Sequence, residues 1–191
     1  ASELKKELGG NKEYSKDLEL LLSQTKRCGE ILKQISKKQI QGDRFFNKTN
    51  LEDLLSEIIS SFKETSSKNI SLIIDEDKNK FNFQRTPELI YGLRNFIGNA
   101  VKFSKTKVQI DINSNAESIN ININDDGPGF PEDIIEILGE PYIKSKSNLV
   151  RSNAGTGLGT FLGKTLLERQ AASLNFSNNN KLGGASVQIS W

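Results

Sequence analysis

Hydrophobic residues recur along this chain in two rhythms, and the change from one to the other sets out its organisation. Leu18, Leu21, Thr25, Cys28, Leu32 and Ile35 are spaced three, four, three, four and three apart, the a/d seam of a coiled coil or helical bundle. Gly9-Gly10-Asn11 interrupts the pattern upstream, so residues 1 to about 40 predict helix, short break, helix. Such a partial hairpin cannot cover its own apolar stripe, which calls for a partner or for packing on the rest of the same chain.

Gln41-Gly42-Asp43-Arg44 reads as a junction, dividing the chain into segments 1–42 and 43–191. Asn50 suits the cap of a helix whose Leu51, Leu54, Leu55, Ile58, Ile59 and Phe62 share one side. Two short β-prone runs follow, 69–75 and 80–84, with Glu76-Asp77-Lys78-Asn79 between them as a connecting turn. Thr86-Pro87 opens a helix with Leu89, Ile90, Leu93, Phe96, Ile97, Ala100 and Val101 on its apolar face. The period then becomes two: Val108, Ile110, Ile112 and Ile119, Ile121, Ile123 alternate with polar residues, predicting a hairpin buried on one face. The stretch from Gly127 to Gly157 contains one short helical candidate, at 132–138, and reads as a lid or binding loop. A helix over 158–170 and strands over 173–178 and 185–190 close the chain. The prediction is an α+β fold, a mixed sheet covered on one face by helices.

Composition narrows the function classes. Twenty-six basic and 24 acidic residues give a net charge of +2, without the basic field of a nucleic-acid binder. No apolar run approaches the roughly 18 to 20 residues that span a bilayer. The absence of Met suggests a piece of a longer protein, with any membrane anchor expected in N-terminal regions outside it. One cysteine and no histidine exclude an internal disulfide framework and a zinc site built on His or several Cys.

Three clusters carry candidate chemistry. Asn95 and Asn99 lie four apart on the helix that ends in Lys102 and Phe103, so they share a face. Asp125-Asp126-Gly127-Pro128-Gly129 runs from a strand end into a turn whose glycines admit close backbone approach. Gly155-Thr156-Gly157-Leu158-Gly159 opens a helix whose free amides and dipole can hold phosphate. No P-loop Gly-Lys-Ser/Thr follows, and the dinucleotide fingerprint is absent.

In this order, an Asn pair on a helix, DxGxG and GxGxG resemble the N, G1 and G2 boxes of the GHKL superfamily, whose members include histidine kinases, gyrase-type topoisomerases, Hsp90 and MutL. The resemblance covers residues 50–191. The runs Gly92–Val101, Gly139-Glu140-Pro141-Tyr142 and Gly163–Arg169, with Ala1–Leu4 and Arg27–Leu32, are similar to the RegB/PrrB group of bacterial redox-responding sensor kinases. It implies the two-layer α/β ATP-binding fold, preceded by dimerisation helices lacking the acceptor histidine. It implies that Asn99 binds the Mg²⁺ bridging the ATP phosphates, that Lys102 contacts phosphate and that Phe103 lies beside adenine. Asp125 would accept the adenine amino hydrogen, with Gly127 and Gly129 admitting the base. Gly155, Thr156, Gly157, Leu158 and Gly159 would meet the phosphates, with Asn95, Tyr142 and Ser186 as further ATP-site candidates. Departures are the Gly139–Tyr142 lid sequence, Thr160 where an aliphatic residue is commoner, and Ala185-Ser186 where a hydroxyl often assists the adenine contact.

The implied activity is protein histidine kinase: transfer from Mg²⁺-ATP to a histidine on the upstream helix, then relay to a response-regulator receiver domain. The implied setting is a cytoplasmic homodimer joined through the helical seam, with Cys28 its redox candidate. The rivals are an ATP-hydrolysing clamp and a nucleotide-dependent binding module. In the ATPases a Glu at position 95 activates water, and Asn95 cannot act as that base.

Overall fold

The computed structural model describes residues 48–75, 82–114, 117–141, 158–178 and 181–191. The helical hairpin with Cys28, the 41–44 junction, the 76–79 turn, Tyr142, Gly155, Thr156 and Gly157 lie outside the described residues.

A short strand β1 (Lys48–Asn50) leads into helix α1 (Leu51–Lys63). Asn50 Oδ1 accepts from the Glu52 amide at 3.2 Å, supplying one of the donors that a helix start leaves unpaired. Strand β2 (Asn69–Ile74) and the three-residue β3 (Asn82–Gln84) follow. Helix α2 (Pro87–Phe103) starts as its sequence predicts, with Pro87 in the first turn and Thr86 Oγ1 accepting from the Leu89 amide at 3.2 Å. Strands β4 (Lys107–Ser114) and β5 (Ile119–Asp125) form the predicted hairpin. Helix α3 (Leu158–Glu168) and the hairpin of β6 (Ser173–Ser177) and β7 (Ser186–Ser190) complete the order. The expected short helix at 132–138 is a single 3₁₀ turn, Ile135–Ile137.

Five strands form one sheet in the order β2-β4-β5-β7-β6, with β2 parallel to β4 and the other pairs antiparallel. The run 80–84 does not turn back onto β2. Strand β3 pairs antiparallel with β1 instead, and Phe83 packs edge-on against Trp191 with ring centroids 5.1 Å apart. The reason is that β2 pairs with β4, setting Ile70 beside Val108, where both side chains are buried.

The alternation in β4 and β5 decides which way the sheet faces. Val108, Ile110, Ile112, Ile119, Ile121 and Ile123 join Val187 and Ile189 in a core shared with Leu54, Leu55, Ile58, Leu89, Leu93, Phe96 and Ile97 of the helices. The opposite face is a polar ladder. Asn124 donates to Asp111 at 3.0 Å, Ser186 donates to Asn124 at 2.7 Å and Ser190 donates to Asn120 at 2.6 Å. The result is the two-layer arrangement expected of a sheet with one apolar face.

Candidate functional site

Asp125 ends β5 directly opposite Val108, on the core-facing side of the sheet. It is 4% exposed. Its Oδ1 accepts from the Gly127 amide at 2.8 Å and the Ala185 amide at 3.2 Å. Burial pushes its carboxyl above the usual range, while these two amides pull it back. A buried carboxylate held by backbone amides at a strand end is a preorganised hydrogen-bond acceptor.

The surrounding backbone fits closely enough to require glycine at two places. A Cβ on Gly127 would stand 2.5 Å from the Phe103 carbonyl oxygen, so the end of α2 and the turn after β5 touch here. A Cβ on Gly184 would come as near to both Asp125 Oδ1 and the Gly127 nitrogen. The sequence does not single out Gly184, which falls in the connection between the last two strands. The available signal was a glycine pair directly preceding the buried β7.

Asp126 points the other way. It accepts from the Lys105 amide at 2.8 Å, the Thr106 amide at 3.0 Å and the Thr106 hydroxyl at 2.6 Å. What burial it has pushes its carboxyl up, but the Thr106 hydroxyl and the amides of Lys107, Thr106 and Lys105 outweigh this and hold it far below the usual range. Lys68 Nζ grips the same connection from the other side through the Ser104 carbonyl at 2.8 Å. Together they fix the exit of α2 against the start of β4.

The Asn face of α2 meets α3. Asn95 Nδ2 donates back to the Tyr91 carbonyl at 2.8 Å, and a Cβ on Gly159 would sit 3.4 Å from Asn95 Oδ1. Asn99 Nδ2 donates to Thr160 Oγ1 at 3.4 Å. Gly159 and Thr160 belong to the first turn of α3, as does Leu158. Lys102 Nζ lies 5.0 Å from the centroid of the Phe103 ring, in the last turn of α2. Helix α2 therefore joins all three sequence clusters, reaching the Asp125 turn through Phe103 and α3 through Asn95 and Asn99.

Ser186 does not join them. It pairs with Asn124 on the outer, polar face of the sheet, where its hydroxyl donates to Asn124, and strand alternation sets it opposite to Asp125. The residue that reaches Asp125 is Ala185, immediately before β7, and it does so through backbone N–H. The candidate adenine role of Ser186 is corrected accordingly.

Among the described residues no group of three or more His, Cys, Asp or Glu side chains could hold a metal ion. The donor set fits a hard cation held mainly by a ligand's own oxygens. Thr160 takes the nitrogen end of the Asn99 carboxamide, which makes its oxygen the end suited to a cation.

A buried carboxylate at the end of the sheet's central strand, glycine-lined turns and an Asn-bearing helix facing a second helix entrance define a nucleotide-binding α/β domain. The chain belongs to the histidine kinase-, DNA gyrase B- and HSP90-like ATPase family, whose pattern matches residues 84–191. It is 33% identical over 209 aligned residues to the sensor histidine kinase RegB of Cereibacter sphaeroides, covering 100% of this chain and 45% of that protein. The chain thus spans less than half the length of that relative. The solved chain of the mycobacterial sensor histidine kinase MprB shares the fold, with a TM-score of 0.62 at 15% identity, covering 76% of this chain and 95% of that solved chain. Full-length ShkA in complex with AMPPNP gives a TM-score of 0.62 at 19% identity, over 75% of this chain and 30% of ShkA.

Proposed function

We propose that this chain is the ATP-binding part of a two-component sensor kinase that transfers the γ-phosphate of Mg²⁺-ATP to a histidine outside the sequence, for relay to a receiver-domain aspartate. The observation that carries the reading is Asp125, buried, amide-held and flanked by Gly127 and Gly184 in a cradle too tight for a side chain. Such an acceptor suits the exocyclic amino group of adenine, and Phe103 offers a neighbouring aromatic face.

In this reading Asn99 is the protein ligand for Mg²⁺, and Thr160 orients its carboxamide. Bound Mg²⁺ would neutralise charge on the phosphate oxygens. Lys102 adds a cation at the mouth, and the first turn of α3, with Leu158 and Gly159, turns its amides toward the phosphates. By the family resemblance alone, Gly155, Thr156 and Gly157 are assigned to the same phosphates and Tyr142 to the ATP site. Transfer of this kind depends on positioning and charge neutralisation. Position 95 carries an amide, which cannot activate water as a carboxylate would, and its Nδ2 donates to the Tyr91 carbonyl. That favours transfer over hydrolysis.

Titration calorimetry with Mg²⁺-ATP tests the site. Asp125→Asn should lose affinity corresponding to about 1.5 to 3 kcal/mol, the usual worth of a hydrogen bond to a charged group. Unchanged binding in that variant would end the assignment.

The redox and assembly parts of the proposal rest on the 18–35 seam, on Cys28 and on the similarity to RegB. The seam joins two copies in the cytoplasm, and oxidation of Cys28 alters their packing. Oxidised protein should run as a covalent dimer in non-reducing electrophoresis, and Cys28→Ser should not. A Cys28 that resists oxidants until the protein unfolds removes the redox role.

A further inference from the structure

We infer that Asn178, just past the end of β6, is a positioning residue for the nucleotide site, setting the Gly127–Gly129 turn through a two-point pairing with the backbone of Phe130. The inference rests on the reading of Asp125 as the adenine acceptor.

Asn178 Oδ1 accepts from the Phe130 amide at 2.7 Å, and Asn178 Nδ2 donates to the Phe130 carbonyl at 2.8 Å. A carboxamide that meets both backbone groups of one residue does what a neighbouring strand would do. Gly129 shows why this side chain belongs there. Its φ is +80°, and a Cβ on it would stand 2.8 Å from Asn178 Oδ1, so the last glycine of the turn makes room for the clamp.

The clamp is tied to the core. The Phe130 ring meets Phe176 edge-on at 5.8 Å between centroids, and Phe176 meets Phe96 at 5.9 Å. Phe96 adjoins Asn95 on α2. The segment from Asp125 to Phe130 is therefore held at one end by the Gly127 and Ala185 amides on Asp125 and at the other by Asn178. Releasing the second end frees Gly127, whose amide and tight contacts shape the carboxylate's surroundings.

Adenosine is the probe, because it reads the base pocket without phosphate contacts. Asn178→Ala should weaken adenosine binding about tenfold, the order expected when two good hydrogen bonds are lost, while thermal unfolding stays cooperative. Asn178→Asp discriminates positioning from packing. Its carboxylate retains the acceptor for the Phe130 amide but faces the Phe130 carbonyl with no donor, and protonation returns one. Its affinity relative to wild type should therefore recover as the pH is lowered from about 7 to about 4, into the range where an ordinary aspartate, with a pKa of about 3.9, takes up its proton. Glu132, Glu136 and Lys164, which line the groove beside position 178, and Asp125 itself are present in both proteins and cancel in that ratio. If wild type binds adenosine and Asn178→Ala binds within about twofold of it, or if the Asn178→Asp ratio ignores pH, the inference is wrong. Should Asn178→Ala fail to fold, the Asn178→Asp profile decides. A wild-type chain that binds no adenosine overturns the Asp125 reading and this inference with it.

Discussion

Asp125 and Asp126 are neighbours in sequence with opposite environments. Asp125 is buried with its carboxyl pushed up, and Asp126 is held far down by the Thr106 hydroxyl and nearby amides. A carboxyl whose folded pKa lies above its unfolded value favours the fold at acid pH, and that contribution is lost as pH rises through the folded value. Charged Asp125 therefore costs stability at neutral pH, the usual signature of a group kept for binding. Asp126 has the reverse sign. Its contribution is present above the unfolded carboxylate value of about 3.9 and drains away as pH falls below it toward the depressed folded value. Asp126→Asn should accordingly unfold at lower urea than wild type near neutral pH, with the gap closing on acidification. A gap of the same size in acid would mean that Asp126 acts through shape alone.

Helices α2 and α3 are held close by glycines, which gives their contact a sharp steric test. A Cβ on Gly92 would lie 2.5 Å from Leu167 Cγ, and one on Gly163 would lie 3.0 Å from the Phe96 ring and 3.1 Å from Asn95 Cβ. Gly163→Val should cost about 1 to 3 kcal/mol, the usual range for overpacking, and should weaken Mg²⁺-ATP more than adenosine, because the Asn99–Thr160 contact separates. Denaturant curves and paired titrations measure both; equal loss for the two ligands would separate the helix contact from the phosphate side. The main elements were legible because their patterns are long. The five isoleucines and one valine of β4 and β5 fix both strands and their buried face, and Thr86-Pro87 with seven apolar positions fixes α2. Strands β1 and β3 are three residues each, too short to show a period, and β3 gave no sign that β1 rather than β2 was its partner. At the site, Asp125 and the Asn face could be read from motif and helix spacing. Asn178 and Gly184 could not, because they act across the fold on Phe130 and Asp125, from 48 and about 60 residues away respectively. Ser186 failed for a simpler reason: its motif marked the right neighbourhood, but alternation put its hydroxyl on the other face.

At the scale of the whole molecule, the described residues supply a site for binding nucleotide, and the sequence supplies no histidine to receive phosphate. No helix among the described residues is long and apolar enough to cross a membrane. The two facts about chemistry that remain are the amide at position 95, turned onto Tyr91, and the missing acceptor. Without a carboxylate at position 95 to deprotonate it, the water that would attack a bound triphosphate goes unassisted there, and general base assistance is commonly worth about 10² to 10⁴ in rate. The chain incubated with γ-labelled Mg²⁺-ATP should therefore retain no acid-labile, alkali-stable phosphate, and it should release phosphate no faster than Asn99→Ala. Adding a helical polypeptide that carries the acceptor histidine of the full-length protein should bring acid-labile label onto that polypeptide, and Asn99→Ala should abolish the transfer. Robust phosphate release that disappears in Asn99→Ala, with no label on the added histidine, would identify a hydrolase and replace the kinase reading.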